Sequence, residues 1–279
     1  MSLKLMYITN RPEIAQIAEN AGVDRIFVDM EYIGKSNRQG GMNTVQCRHT
    51  VEDVSELRGH ITKSELMVRI NPIHDATAEY TSSEEEIDAV IGAGADVVML
   101  PYFKTADEVK RFVECVAGRA TVFPLVETPE AAECLDEILE IDGIDEIHIG
   151  LNDMSLALGK KFMFELLCDG TVERICRKCR DKGITYGFGG IAALGKGMLP
   201  CEHVIMEHYR LGSQRAILSR SFCNCDIVTD IGEIKRIFET GLKEIREYEA
   251  YCACHPEEWE QNRILTAEKI LGIAQSLKK

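Results

Sequence analysis

Two short apolar runs in this chain end abruptly in a carboxylate. One is Phe123-Pro-Leu-Val-Glu127 and the other is Ile147-His-Ile-Gly-Leu-Asn-Asp153. Between them, Pro129 to Ile141 has the length and amphipathic pattern of a helix, so the order is strand, acid, helix, strand, acid. Neighbouring parallel strands lie about 4.8 Å apart, so acids at their carboxyl ends can share one divalent cation. The competing reading is two unrelated loop acids, each capping a helix.

The elements that must position these acids repeat one theme along the chain. Strands are expected at Leu3–Ile8, Arg25–Asp29, Leu66–Ile70, Asp96–Leu100, Thr121–Val126, Glu146–Ile149, Ile184–Phe188 and Arg215–Ser219. Helices alternate with them, at Pro12–Asn20, Glu84–Ile91 and Thr171–Lys182 among others, with Pro12 at a start and Gly22 or Gly183 at an end. Eight strands alternating with helices predict an α/β chain folded as a (β/α)8 TIM barrel, a fold of about 250 residues. A doubly wound open sheet is disfavoured because no glycine-rich nucleotide turn follows the first strand. Residues 227–248 are read as the closing helix. The whole chain, 1–279, is read as one barrel domain, with 250–279 as a helical extension of the kind that packs on a neighbouring subunit.

In such a barrel, chemistry sits at the carboxyl ends of the strands. That rule gathers Asp29 and Glu31 after the second strand, Arg69 at the end of the third, Glu127 after the fifth and Asp153 after the sixth. Gly187-Phe-Gly-Gly190, with Gly195 and Gly197, is read as a tight turn, with a phosphate cradle as the alternative. His148 alternates with strand apolars and is read as a barrel-layer histidine. Glu207-His-Tyr-Arg210 precedes the eighth strand and is read as structural. A lysine-based aldolase is disfavoured, since Lys104, Lys160 and Lys161 fall beyond the strand ends.

Net charge and cysteine usage narrow the partners. A charge of −14 argues against nucleic acid, whose phosphates need a basic face. An anionic substrate therefore needs a local positive cluster or a metal. No apolar run approaches membrane-spanning length and no secretory leader opens the chain, so a cytoplasmic protein with reduced thiols is expected. Of the eleven cysteines, Cys176-Arg-Lys-Cys179 has the spacing of half a zinc knuckle, and Cys223, Cys225, Cys252, Cys254 and His255 are further candidate ligands. Without a second well-spaced pair, ordinary thiols are the better reading.

The pieces Phe27-Val-Asp-Met-Glu31, Val68-Arg-Ile-Asn71, Gly94-Ala-Asp-Val-Val-Met-Leu-Pro101, Leu125-Val-Glu-Thr128 and Ile149-Gly-Leu-Asn-Asp-Met-Ser155 resemble the HpcH/HpaI aldolase and citrate lyase family. The match runs in order from about Leu3 to Phe222. The resemblance implies a class II aldolase, a lyase that uses Mg²⁺ or Mn²⁺ to make or break a bond next to pyruvate or a similar 2-oxo acid, with an aldehyde as the second partner. It also implies a homo-oligomer, a hexamer or trimer of dimers with an exchanged C-terminal helix. Residue by residue, it implies Glu127 and Asp153 as metal ligands and Arg69 as the contact to the keto and carboxylate oxygens. Gly150, Leu151 and Asn152 become the turn whose backbone N–H groups hold the substrate carboxylate. The chemistry agrees, because cleavage beside a 2-oxo acid leaves an enolate that a chelated cation stabilises.

Two positions depart from the family pattern. Tyr32 stands where the family has the histidine of an acid/base dyad, and a phenol is a poor base at neutral pH. Leu125 replaces a glutamine. Candidates to fill the gap lie in the polar, basic loop Gly34–His49, where Lys35, Arg38 and His49 are singled out, with His49 as a replacement base. The runner-up reading is an acyl-CoA lyase or thioester hydrolase resembling citrate lyase β chains, which would need a long basic groove. From a different class, a non-catalytic metabolite-binding barrel also remains open.

Overall fold

The computed structural model describes residues 2–35 and 47–277. The strands β1 (Lys4–Ile8), β2 (Arg25–Asp29), β3 (Glu65–Arg69), β4 (Val97–Leu100), β5 (Thr121–Val126), β6 (Glu146–Ile149), β7 (Thr185–Ile191) and β8 (Arg215–Leu218) pair in sequence order. All pairs are parallel, and β8 returns to β1 to close an eight-stranded barrel. The expected (β/α)8 architecture is therefore present. Seven strands match the expected bounds closely. The exception is β7, which continues through the glycine run to Ile191 instead of turning at Phe188. A Cβ on Gly187 would lie 2.3 Å from that of Arg215, so glycine there lets β7 and β8 come together where a side chain would part them.

Strand residues alternate between two apolar zones. Residues facing outward pack with the helices in one large core that includes Leu5, Ile26, Val28, Val98 and Ile149. Inside the barrel, Met6, Phe27, Met67, Val97, Met99, Phe123 and Leu125 form a separate cluster. Below it lies a charged layer from the first residues of four strands. Arg25, 1 % exposed, places two guanidinium nitrogens on Glu146 at 2.6 and 2.8 Å and its Nε on Glu65 at 2.7 Å. Arg215 grips the same Glu146 at 2.7 and 3.0 Å. Two arginines outweigh the effect of burial and hold the Glu146 carboxyl down at about 2.

The amino-terminal rim carries a repeat. Before β2, β4 and β6 stand Gly22-Val-Asp24, Gly94-Ala-Asp96 and Gly143-Ile-Asp145. Each glycine has φ near +100°, and each aspartate accepts the backbone N–H of the preceding odd strand. Asp24 binds Leu5 N, Asp96 binds Leu66 N and Asp145 binds Val122 N, all at 2.8 Å. The turn thus needs a residue without a Cβ, and the acid then fixes the register of two adjacent strands.

The closing helix is Ile231–Cys254, so the boundary expected at 250 falls inside it. A 3-10 turn at Pro256–Glu258 leads into the final helix, Trp259–Ser276. That helix packs on its own chain. Asn262 Nδ2 donates to His203 O and to Glu207 Oε1, both at 3.2 Å, and Ile270 and Ala274 join the outer core. Glu207, His208 and Arg210 belong to the helix Cys201–Leu211 beneath it, in structural roles: Glu207 pairs with Arg210 at 2.8 Å, and His208 stacks flat on Phe188 at 3.8 Å. Among the described residues no helix is long and apolar enough to cross a membrane.

Candidate active site

The carboxyl ends of the strands open into one cavity of about 480 Å³. Its lining includes every one of the expected site residues Asp29, Glu31, Lys35, His49, Arg69, Glu127, Gly150, Leu151, Asn152 and Asp153. Arg38 lies outside the described residues.

Each side chain arrives by a traceable route. Asp29 and Arg69 end β2 and β3 in direct register, so their side chains emerge together and meet as a bidentate pair, Nε to Oδ1 at 2.8 Å and Nη2 to Oδ2 at 2.7 Å. Lys35 adds its ammonium between Asp29 at 2.9 Å and Glu31 at 3.2 Å. Burial would raise the Asp29 carboxyl, but Arg69 and Lys35 overcome it and hold Asp29 well below the usual range. Asp29 is therefore a fixed anion that orients Arg69. The guanidinium lies 5.5 Å from the Phe27 ring and, raised by Asp29 and Glu31 against its burial, keeps its charge.

Glu127 behaves in the opposite way. Its carboxylate is 5 % exposed and accepts the Tyr102 N–H at 3.0 Å. Burial, then the charges of Glu31 and Asp153, push it up to about 8, and Arg69 opposes only part of that rise. Asp153, also buried, accepts from Asn152 Nδ2 at 3.1 Å. Glu31, Glu127 and Asp153 are three buried carboxylates on one cavity wall, with Arg69 and Lys35 as the cations beside them. A hard divalent cation with oxygen ligands fits that donor set, with Glu127 and Asp153 as its protein ligands. Among the described residues no group of three or more His, Cys, Asp or Glu is arranged to hold a metal ion, so the two carboxylates of Glu127 and Asp153 are the protein ligands on offer.

Gly150 serves this pair by being small. A Cβ there would lie 2.6 Å from the Glu127 Cβ and 2.8 Å from its Oε2. Its N–H is taken by Val126 O at 3.0 Å, so of the three expected carboxylate-binding amides Gly150 is excluded. Leu151 and Asn152 remain as first-turn N–H donors of the helix Leu151–Ala157, which carries no side-chain cap.

Tyr32 is absent from the cavity wall. It is 44 % exposed, its ring lies 5.6 Å from Tyr80, and burial with the Glu86 charge raises its phenol. His49 occupies the cavity instead. Its Nδ1 accepts the Asp29 backbone N–H at 3.0 Å, and burial lowers its basicity despite Asp29 and Asp53. A neutral ring whose Nδ1 is an acceptor carries its proton on Nε2. His49 thus offers a hydrogen-bond donor, where the sequence suggested a base.

Several lining groups were not singled out from the sequence. Asn10 and Arg11 come from the loop after β1, and Ser219 and Arg220 from the loop after β8. Both loops lack acids at strand ends, the signal that marked the others. His148 is a barrel-layer residue as expected, 1 % exposed with Nε2 at 3.1 Å from Gly189 O, but it also forms part of the cavity floor. In the glycine run, Gly187 packs on Arg215 and the Gly195 N–H is used by Glu202 Oε1 at 2.9 Å, while Gly189 and Gly190 line the cavity. Cys176 and Cys179 are buried free thiols on the helix Thr171–Asp181.

Comparison with known proteins finds similar sequences and a shared fold. The chain is 22 % identical over 213 residues to the 4-hydroxy-4-methyl-2-oxoglutarate aldolase cghB of Chaetomium globosum, covering 64 % of this chain and 72 % of that one. It is 23 % identical to the 2-keto-3-deoxy-L-rhamnonate aldolase of Shigella dysenteriae, covering 64 % and 71 %. The crystal structure of an HpcH/HpaI aldolase from Desulfitobacterium hafniense shares the fold, with a TM-score of 0.58 at 17 % identity, over 88 % of this chain and 93 % of that one. The sequence model described as HpcH/HpaI aldolase/citrate lyase matches residues 4–189, and the chain belongs to that family.

Proposed function

We propose that the protein is a divalent-metal-dependent class II aldolase, a lyase that makes or breaks a carbon–carbon bond next to a 2-oxo acid of the pyruvate type, with an aldehyde as the other partner. The observation that carries this reading is that Glu127, buried on the cavity wall with Asp153 and Glu31, is pushed up to about 8 by its burial and then by those two charges. A cation held by Glu127 and Asp153 would offset that cost at neutral pH. The two similar proteins named as aldolases support the reaction type.

Glu127 and Asp153 would hold the cation, Mg²⁺ or Mn²⁺, whose contribution is Lewis-acid charge next to the C1 carboxylate and C2 oxygen of the 2-oxo acid. The remaining roles belong to the chain. Arg69, locked in its plane by Asp29, donates to the C2 oxygen, and its contact strengthens as negative charge collects there during cleavage. The N–H groups of Leu151 and Asn152 receive the C1 carboxylate. His49 donates from Nε2 to an oxygen of the aldehyde half. Lys35 keeps Asp29 ionised and holds Asp29 and Glu31 in place. As the one lysine of the described lining, it is held by two carboxylates and is not a free amine for Schiff-base chemistry.

The test is pyruvate methyl-proton exchange in D₂O, followed by NMR with and without Mn²⁺, alongside calorimetric Mn²⁺ titration. Exchange that requires Mn²⁺ and vanishes in Glu127→Ala and Asp153→Ala, together with Mn²⁺ binding, is the expected result. Full exchange in either variant would refute the ligand assignment.

A further inference from the structure

The wall formed by β1 and the loop after β8 carries a group of residues that the proposed reaction does not use. In a ring of eight strands, β1 stands opposite β5, so this wall faces Glu127 across the cavity. Tyr7, Arg11, Cys223 and Cys225 all line it. The two sulfurs are 3.7 Å apart. The Tyr7 hydroxyl donates to Cys223 O at 3.2 Å and lies 3.1 Å from Cys225 Sγ. Arg11 Nη1 reaches Cys225 O at 3.4 Å, which brings its positive charge to the same loop.

The pair is asymmetric. Cys223 is 4 % exposed and packs in the core, whereas Cys225 is only partly buried. A hydrogen bond from Cys223 lowers Cys225, and Tyr7 and Arg11 assist against burial, bringing it to about 6; the same bond, with burial, raises Cys223. Cys176 and Cys179, another close pair in sequence, show the contrast. Both are raised by burial, and neither lines the cavity. A thiolate reached from a cavity, backed by a protonated thiol within van der Waals contact, is the arrangement in which one sulfur attacks and the other resolves.

We propose that Cys223 and Cys225 are a dithiol oxidation site on the cavity wall, where a hydroperoxide is reduced and the two sulfurs are joined as a disulfide. The Cys225 thiolate attacks the terminal peroxide oxygen. The O–O bond breaks, the remaining oxygen leaves as an alcohol or water after taking a proton, and Cys225 becomes a sulfenic acid. Cys223 sulfur then attacks Cys225 sulfur, the S–O bond breaks, and the departing hydroxide takes the Cys223 proton as water. Two thiols and one hydroperoxide give one disulfide, one alcohol and one water. A disulfide needs a separation of about 2.05 Å. Closing the gap asks for side-chain rotation in residues 219–230, a stretch with neither helix nor strand.

This inference does not rest on the aldolase reading, and its test reads sulfur alone. The full-length protein is treated with stoichiometric hydrogen peroxide, quenched by alkylation and mapped by mass spectrometry on the peptide Ser221–Lys235. The expected result is loss of two hydrogens and two alkylatable thiols from that peptide, reversed by dithiothreitol, before the exposed Cys168 and Cys254 react. Cys223→Ser should halt at a sulfenic acid on Cys225 that a cyclic dione captures. Cys225→Ser should leave Cys223 reduced. Prior oxidation of Cys168 or Cys254, a disulfide from Cys47 to either sulfur, or unslowed oxidation of Cys223 in Cys225→Ser would each overturn the proposal.

Discussion

Glu127 carries its charge at a cost that the Tyr102 N–H and Arg69 offset only in part. Its carboxyl is raised from 4.5 to about 8 in the fold, so the stability it permits is complete below about pH 4.5 and declines as pH climbs towards 8. Glu127→Gln should therefore raise the stability of EDTA-treated protein at pH 8 by on the order of 3 kcal/mol while removing Mn²⁺ binding, read by thermal unfolding and calorimetry. A variant that lost metal binding without gaining stability would mean that the Glu127 charge is already neutralised by the fold. Gly150→Ala tests the same carboxylate from its neighbour. The new methyl must displace Glu127, so Mn²⁺ affinity should fall by about tenfold or more with the barrel retained by circular dichroism. Arg69→Ala should lower kcat more than it weakens Mn²⁺ binding, because its contact matters most as charge develops. At this scale, strand-end acids were legible in the sequence because a barrel fixes where a strand end points. Tyr32 was not. Its place in the chain suggests the cavity, yet the backbone N–H of Tyr32 is bound by Asn71 Oδ1 and the ring turns out to Tyr80. His49 reaches Asp29 from 20 positions away in the sequence, a contact that no local pattern encodes.

Among the elements, the strands divide their labour along their length. Their first residues build the charged layer of Arg25, Glu65, Glu146 and Arg215, their middles the apolar plug, and their ends the cavity. Removing Glu146 takes the shared carboxylate from the buried Arg25 and the half-buried Arg215. Glu146→Ala should destabilise by about 3–5 kcal/mol in chemical denaturation at pH 7. The wild-type contribution follows the depressed carboxyl: it is present above about pH 4.5 and is lost as pH falls through about 2. The eight strands were readable from their apolar runs and bounding glycines. The charged layer was hidden, since arginine and glutamate at a strand start look like the solvated end of an element. The extension of β7 was hidden for a related reason. Glycine signals a turn locally, and only the nearness of Arg215 reveals it as a strand residue.

For the molecule as a whole, the final helix matters more than its position at the chain end suggests. Asn262 satisfies His203 O and Glu207 Oε1 in a buried setting. Asn262→Ala should cost about 1–3 kcal/mol, with the fluorescence of Trp259, the single tryptophan, reporting the loosened helix. The helix itself was legible in the sequence. Its docking partner was not, because the same apolar face can lie on its own barrel or on a copy. The glycine–aspartate fasteners at the amino-terminal rim bear on a different property. They set strand alignment from beneath, using nothing that belongs to the opposite mouth. A foreign segment grafted after β2 or β8 would therefore leave the cylinder's geometry intact. Such a scaffold can change what it accepts without relearning how to fold.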